Sequence, residues 1–133
     1  MQVQMENRKP SIVPNATMAA LLLGGANGKL DGRIEELSMI IAKMKKDGKD
    51  PGILVRKAAG SYYSEELDRF VGILLATGAA TVRSPIQLTE DGSNFLLEII
   101  KRGMHEDPRK MESIITYLGL SNVLKKIQED IDS

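Results

Sequence analysis

The chain has 133 residues, with 18 Lys and Arg against 18 Asp and Glu, one His and no Cys; that length suits one domain around a single core, burying roughly two-thirds of its unfolded surface. Zero net charge excludes a general attraction to polyanions, so binding to nucleic acid or an anionic membrane would need local charge segregation. The lack of Cys excludes disulfides, thiolate nucleophiles and Cys-based zinc sites, and it fits a cytoplasmic protein.

Residues 1–15 carry two prolines and no helical period, so they are expected to form an extended or disordered arm. The apolar run Met18-Ala19-Ala20-Leu21-Leu22-Leu23 is far shorter than the roughly 20 residues of a membrane-spanning helix. Arg8 and Lys9 precede it as in a signal peptide, but Pro10 and Pro14 intervene and no small-residue cleavage site follows. A soluble, intracellular chain with no membrane partner is expected. The same run predicts a short buried helix over 17–23, capped by Asn15 or Thr17 and stopped by Gly24-Gly25.

From Leu30 to Met44, apolar residues recur at steps of three and four, predicting an amphipathic helix. Asp31 is its expected cap, Glu35 and Glu36 lie at its start, Lys43, Lys45 and Lys46 at its end, and Gly48 stops it. The stretch "ILVRK" (53–57) admits a short strand. Ser64 then caps a helix with Glu65 and Glu66 in the first turn, a stripe of Leu67, Phe70, Val71, Leu74 and Leu75, and a stop at Gly78. "AATVR" and "PIQLT" form a small hairpin about Ser84, because Pro85 pushes its neighbour out of helical geometry. Thr89 caps the following helix, whose expected buried face is Phe95, Leu96, Ile99 and Ile100, ending before Gly103. Asp107-Pro108 opens a C-terminal stripe of Met111, Ile114, Ile115 and Leu118. Gly119 interrupts it and Leu120, Val123, Leu124, Ile127 and Ile131 continue after a new cap at Ser121, as one broken helix or two.

This order of helices and hairpin resembles the winged helix-turn-helix superfamily of small archaeal and bacterial proteins. The residues that carry the resemblance are Leu74 with Gly78 at the end of one helix, then Leu88, Thr89 and Gly92 at the corner after the hairpin. The resemblance implies a mainly α fold with a small β-hairpin: a flexible arm over 1–15, a winged-helix domain over 16–103 and a helical extension over 104–133. It also implies that the third helix enters the major groove of double-stranded DNA while the wing touches the backbone. That assigns Tyr62, Tyr63, Ser64 and Arg69 to the groove and Arg83 to the wing. The third helix resists this role, since residues 64–77 hold three acids against one base, a local charge of −2.

The basic residues concentrate elsewhere. Lys43, Lys45, Lys46, Lys49, Arg56 and Lys57 stand against Asp47 and Asp50, a local charge of +4 over residues 43–57. Such a segment can meet a phosphate backbone with affinity of ~10⁻⁴ to 10⁻⁶ M, or it can be a solvated helix end. Tyr62 and Tyr63 can stack on a base or pack before the helix cap.

Other chemistry finds little footing. "GGANGKL" misses the phosphate-loop spacing by one residue and has Leu30 where a magnesium-binding hydroxyl is needed. His105, the one histidine, is expected on a surface loop, and without Cys most nucleophile–base pairs are missing, so neither a cofactor nor an enzyme is expected. The terminal stripe of Ile114, Ile115, Leu118, Leu124, Ile127 and Ile131 either closes the core or, the preferred reading, pairs with a second subunit. Two functions follow: a dimeric DNA-binding transcription regulator or, as the alternative, a protein-interaction module without DNA binding.

Overall fold

The structure, a computed structural model, describes residues 10–132, and side chains as far as residue 129. It is mainly α, with six helices and two small two-stranded antiparallel sheets among the described residues. Of the arm expected over 1–15, residues 1–9 lie outside the described residues. Residues 10–12 are non-helical, but the expectation fails over 13–15, where a helix has already begun.

That helix, α1 (Val13–Ala26), is the centre of the fold. It carries no charged residue, and a helix apolar on all sides is stable only when surrounded. Every residue from Ala16 to Gly24 is accordingly buried, chiefly against α4 (Glu90–Glu106) and also against α5 (Pro108–Tyr117) and α2 (Ile34–Lys46). Neither Asn15 nor Thr17 caps it. The Ser11 hydroxyl oxygen accepts the Val13 N–H at 3.1 Å, and the Glu106 carboxylate accepts from the Ile12 N–H at 3.1 Å and the Ser11 hydroxyl at 2.8 Å. Gly24 and Gly25 do not stop the helix either. They are where Leu30, Leu120 and the Gly32 backbone come too close to leave room for a side chain.

In α2, Leu37, Ile41 and Met44 face the core as their spacing predicts. Asp31 is not its cap. It turns back on Arg33, taking the backbone N–H at 3.0 Å and the guanidinium at 2.7 Å. The first N–H of the helix, from Ile34, goes instead to the Ser84 hydroxyl at 3.2 Å, fifty residues away.

The strand expected in 53–57 lies slightly later, as β1 (Arg56–Ala58), and pairs with an unexpected β2 (Ser61–Tyr63), with Arg56 opposite Tyr63 and Lys57 opposite Tyr62. Ala59 and Gly60, both at positive φ (53° and 81°), make the two-residue turn between them, the twist that suits a tight hairpin. β2 rests on α2. The next helix, α3 (Glu65–Ala76), follows its sequence signals closely: Ser64 accepts the Leu67 N–H at 3.2 Å, and Leu67, Val71 and Leu74 are buried.

The predicted second hairpin is β3 (Ala80–Val82) with β4 (Gln87–Leu88). Its tip folds back on the body: Ile86 is buried and its N–H reaches the Gly32 carbonyl at 2.8 Å. The corner into α4 is tightly built. Thr89 donates its backbone N–H (3.0 Å) and its hydroxyl (3.2 Å) to the Ala79 carbonyl, and its hydroxyl oxygen accepts the Gly92 N–H at 3.0 Å. A Cβ on Gly92 would lie 2.0 Å from that same carbonyl oxygen, so the corner requires glycine.

Helix α4 runs through Gly103 rather than ending before it, and the glycine serves a close crossing there, since a Cβ would lie 2.5 Å from the Ala16 Cβ. Asp107 caps α5, accepting the Lys110 N–H at 3.2 Å, and the chain breaks at Gly119 before α6 (Ser121–Asp132), giving two helices. Met111, Ile114, Ile115, Leu118, Leu120, Val123 and Ile127 are buried in the same core as α1 and α4. No helix among the described residues is long and apolar enough to cross a membrane.

Candidate functional site

Three surfaces hold the residues with functional potential: the N-terminal half of α3 with its flanking hairpins, the lysine-rich end of α2, and a groove between α1, α3 and α4. On the first, the acids of α3 and the nearby arginines satisfy one another. Glu65 meets Arg56 from β1 at 3.2 Å and Arg69 one turn on at 3.6 Å, and Asp68 pairs with Arg83 from the second hairpin. Glu66 accepts the Leu54 N–H at 3.1 Å. The three arginines expected on DNA are thus all paired with the acids that made α3 look unsuited to DNA. Each pair is solvent-exposed and individually weak. Together they tie α3 to the segments on either side of it.

Ser64 is buried as the α3 cap, which removes it from any groove-facing surface. Tyr62 is half-buried with the Lys57 ammonium of the facing strand 5.6 Å from its ring centre, a cation–π arrangement, while Tyr63, next to it on β2, is exposed. Arg83 and Ser84, in the turn of the second hairpin, are engaged with Asp68 and the start of α2.

The end of α2 differs. Lys43 and Lys46 are exposed, Lys45 half-buried, and none of the three makes an ion pair among the described residues. Lys49 reaches the Ser113 hydroxyl of α5 at 2.9 Å, and the Tyr117 hydroxyl donates to Asp47 at 2.5 Å. That hydrogen bond from the phenol to a carboxylate raises the Tyr117 pKa above its ordinary value. Two adjoining depressions of about 670 and 480 Å³ open here, sharing Lys49, Arg109 and Ser113, with Lys110 on the smaller one. Arg109 and Lys110 add bases beyond those expected from sequence, and Asp50, Asp107 and Glu112 line the same depressions.

The third surface was not expected at all. A groove of about 570 Å³ runs between α3 and α4 and reaches the start of α1. Phe70 and Ile73 line one wall, Phe95 and Ile99 the other, with Ile12 and Met18 between them. Phe95 is 51% exposed and Ile73 54%, so Phe95, expected in the core, is instead open to solvent. The buried face of α4 is Leu96, Leu97, Ile100 and Gly103, which turns Phe95 sideways. Glu66 and Arg69 on one wall, Glu98 and Arg102 on the other, make a charged rim.

A signal for this groove is present in the sequence. On α3 the spacing 67, 71, 74 marks the core stripe, and Phe70 and Ile73 form a second apolar ridge beside it. On α4 Phe95 and Ile99 form the same kind of ridge beside 96, 100 and 103. Each ridge reads as a widening of its stripe until two such ridges face one another.

The terminal stripe is occupied within this chain. Ile114, Ile115, Leu118 and Ile127 are buried in its core and Leu124 is half-buried, leaving little of it for another subunit, while the side chain of Ile131 lies outside the described residues. His105 is exposed in the last turn of α4 rather than on a loop. Among the described residues no group of three or more His, Cys, Asp or Glu is arranged to hold a metal ion. No protein-family model, no curated protein and no solved structure matches this chain.

Proposed function

We propose that this chain is a non-catalytic protein-interaction module built on a winged-helix-like plan, with the groove between α1, α3 and α4 as its binding element. The observation that carries the reading is the exposure of Phe95 and Ile73, both about half open, on facing walls of one apolar groove. Large apolar side chains that converge on a groove and are rimmed by charge mark a protein contact far more often than isolated ones do. The winged-helix plan draws support from the succession of α3, a hairpin and α4, joined at Leu88, Thr89 and Gly92. Its DNA-reading parts are otherwise engaged, since the α3 acids hold Arg56, Arg69 and Arg83 and the hairpin tip is anchored on α2.

The test is selection of amphipathic helical peptides on the full chain, with binding mapped by amide chemical shifts. Shifts centred on Phe70, Ile73, Phe95 and Ile99 that vanish in Phe95→Glu are the expected result. Peptides that bind Phe95→Glu equally well would overturn the reading.

DNA binding stays as a second reading because Lys43, Lys45 and Lys46 make no ion pair among the described residues and continue toward Lys49, Arg109 and Lys110. Its footprint would be a non-specific phosphate contact along the end of α2 and the start of α5. Titration of labelled duplex at low and moderate salt, with and without Lys45, Lys46 and Lys49, decides it: binding that ignores salt or these lysines excludes it.

A further inference from the structure

We infer that the occupant of the α1/α3/α4 groove is a second copy of this chain, in a two-fold dimer; the inference rests on the groove being a protein-binding element. The argument comes from the rim. Its charged groups are two acids, Glu66 and Glu98, and two bases, Arg69 and Arg102, one of each on either wall. A partner of one dominant charge would be matched by a rim of the opposite sign. A balanced rim is what a two-fold contact requires, because the same patch must complement itself.

Helix α4 gives this a specific form. Glu98 and Arg102 are four residues apart on α4 and both border the groove. When a helix lies antiparallel on its own copy about a two-fold axis between these positions, residue 98 faces residue 102 of the other copy, twice. Glu98 meets Lys101 at 3.1 Å within the chain, while Arg102 makes no ion pair among the described residues and is available across the interface. The apolar ridge of Phe95 and Ile99 would then be covered by the partner's groove, removing the most exposed aromatic ring from water. The apolar contact supplies the affinity and the crossed charges fix the antiparallel register. A patch limited to one groove is smaller than a standard stable interface, so the dimer dissociates at micromolar concentration or above, on the order of 10⁻⁶ to 10⁻⁴ M.

The experiment is sedimentation equilibrium of the full chain from about 1 μM to 1 mM, with circular dichroism as the folding check. Phe95→Glu is expected to weaken self-association at least tenfold. Glu98→Arg and Arg102→Glu each put like charges opposite one another and are each expected to be monomeric where the wild type is half dimeric. Mixed in equal amounts, they restore both crossed pairs and form a heterodimer at wild-type concentration. That restoration cannot come from misfolded variants. A chain that stays monomeric to 1 mM, or a dimer indifferent to Phe95 and to both charge reversals, or charge variants that fail to recover on mixing, would overturn the inference. The peptide selection is read separately: Phe95-dependent peptide binding by a monomeric chain would retain the interaction module and reject only the second copy.

Discussion

The two faces of α3 are built on opposite principles. Its N-terminal polar face is saturated: Glu65, Glu66 and Asp68 find Arg56, Arg69, Arg83 and the Leu54 N–H within the same chain. Its apolar flank at Phe70 and Ile73 is left open on a groove. The polar face holds the two hairpins in place, and the apolar flank retains solvent-exposed area whose burial would be favourable. Binding potential therefore follows unsatisfied surface, and the paired polar face of α3 contributes only Glu66 and Arg69 to the rim of the groove.

The largest effect is expected where both faces depend on one joint. Gly92→Val should destabilise the fold by about 3 kcal/mol or more, because the Ala79 carbonyl occupies the space of any Cβ and backbone cannot yield as a side chain can. Urea unfolding would measure it, and a loss below 1 kcal/mol would show that the corner adapts. The comparison along α3 itself comes next. Leu74→Ala, at a fully buried position, should cost about 2–5 kcal/mol. Ile73→Ala, its neighbour at 54% exposure, should change stability by less than about 1 kcal/mol. Equal losses at the two sites would mean that the groove wall belongs to the core.

The saturated face should respond weakly. Arg83→Ala removes an exposed pair with Asp68 and is expected to cost between 0 and about 1 kcal/mol, shrinking further in high salt. Ala59→Asn should gain about 0.5–1 kcal/mol, because asparagine tolerates the positive φ of this turn better than alanine does. The smallest effect is a titration. The side-chain hydrogen bond from Arg33, with that from its backbone N–H, lowers the Asp31 pKa to about 2. A pKa depressed on folding gives stabilisation that is present above the ordinary value near 3.8 and lost as pH falls through about 2. Carboxyl NMR should find Asp31 still ionised at pH 3, and its titration near 4 would mean the Arg33 contact does not persist in solution.

Much of the local fold was legible because its causes sit within a few residues. Ser64, Thr89 and Asp107 cap the helices that follow them, each accepting an N–H three residues on. The core stripe of α3 and the second hairpin were legible for the same reason. What misled was glycine. Gly24, Gly25 and Gly103 look like helix stops, but each lies inside a helix at a place where another segment makes close contact. Which role a glycine plays depends on what approaches it, and the approaching residues are distant in sequence.

The candidate site divides in the same way. The sequence by itself determined the +4 stretch over 43–57, the acids of α3 and the apolar character of Phe70, Phe95 and Ile99, which it assigned to buried stripes. Tertiary structure alone decided that Arg56, Arg69 and Arg83 meet those acids, that Ser84 caps a helix fifty residues earlier, and that the C-terminal stripe closes the core around α1. It also decided that the ridges at Phe70, Ile73, Phe95 and Ile99 face one another across open space. Capping and periodicity are short-range, so they are written in neighbouring residues. Pairing and exposure depend on which distant segments fill the space around a side chain, and only the assembled core determines that.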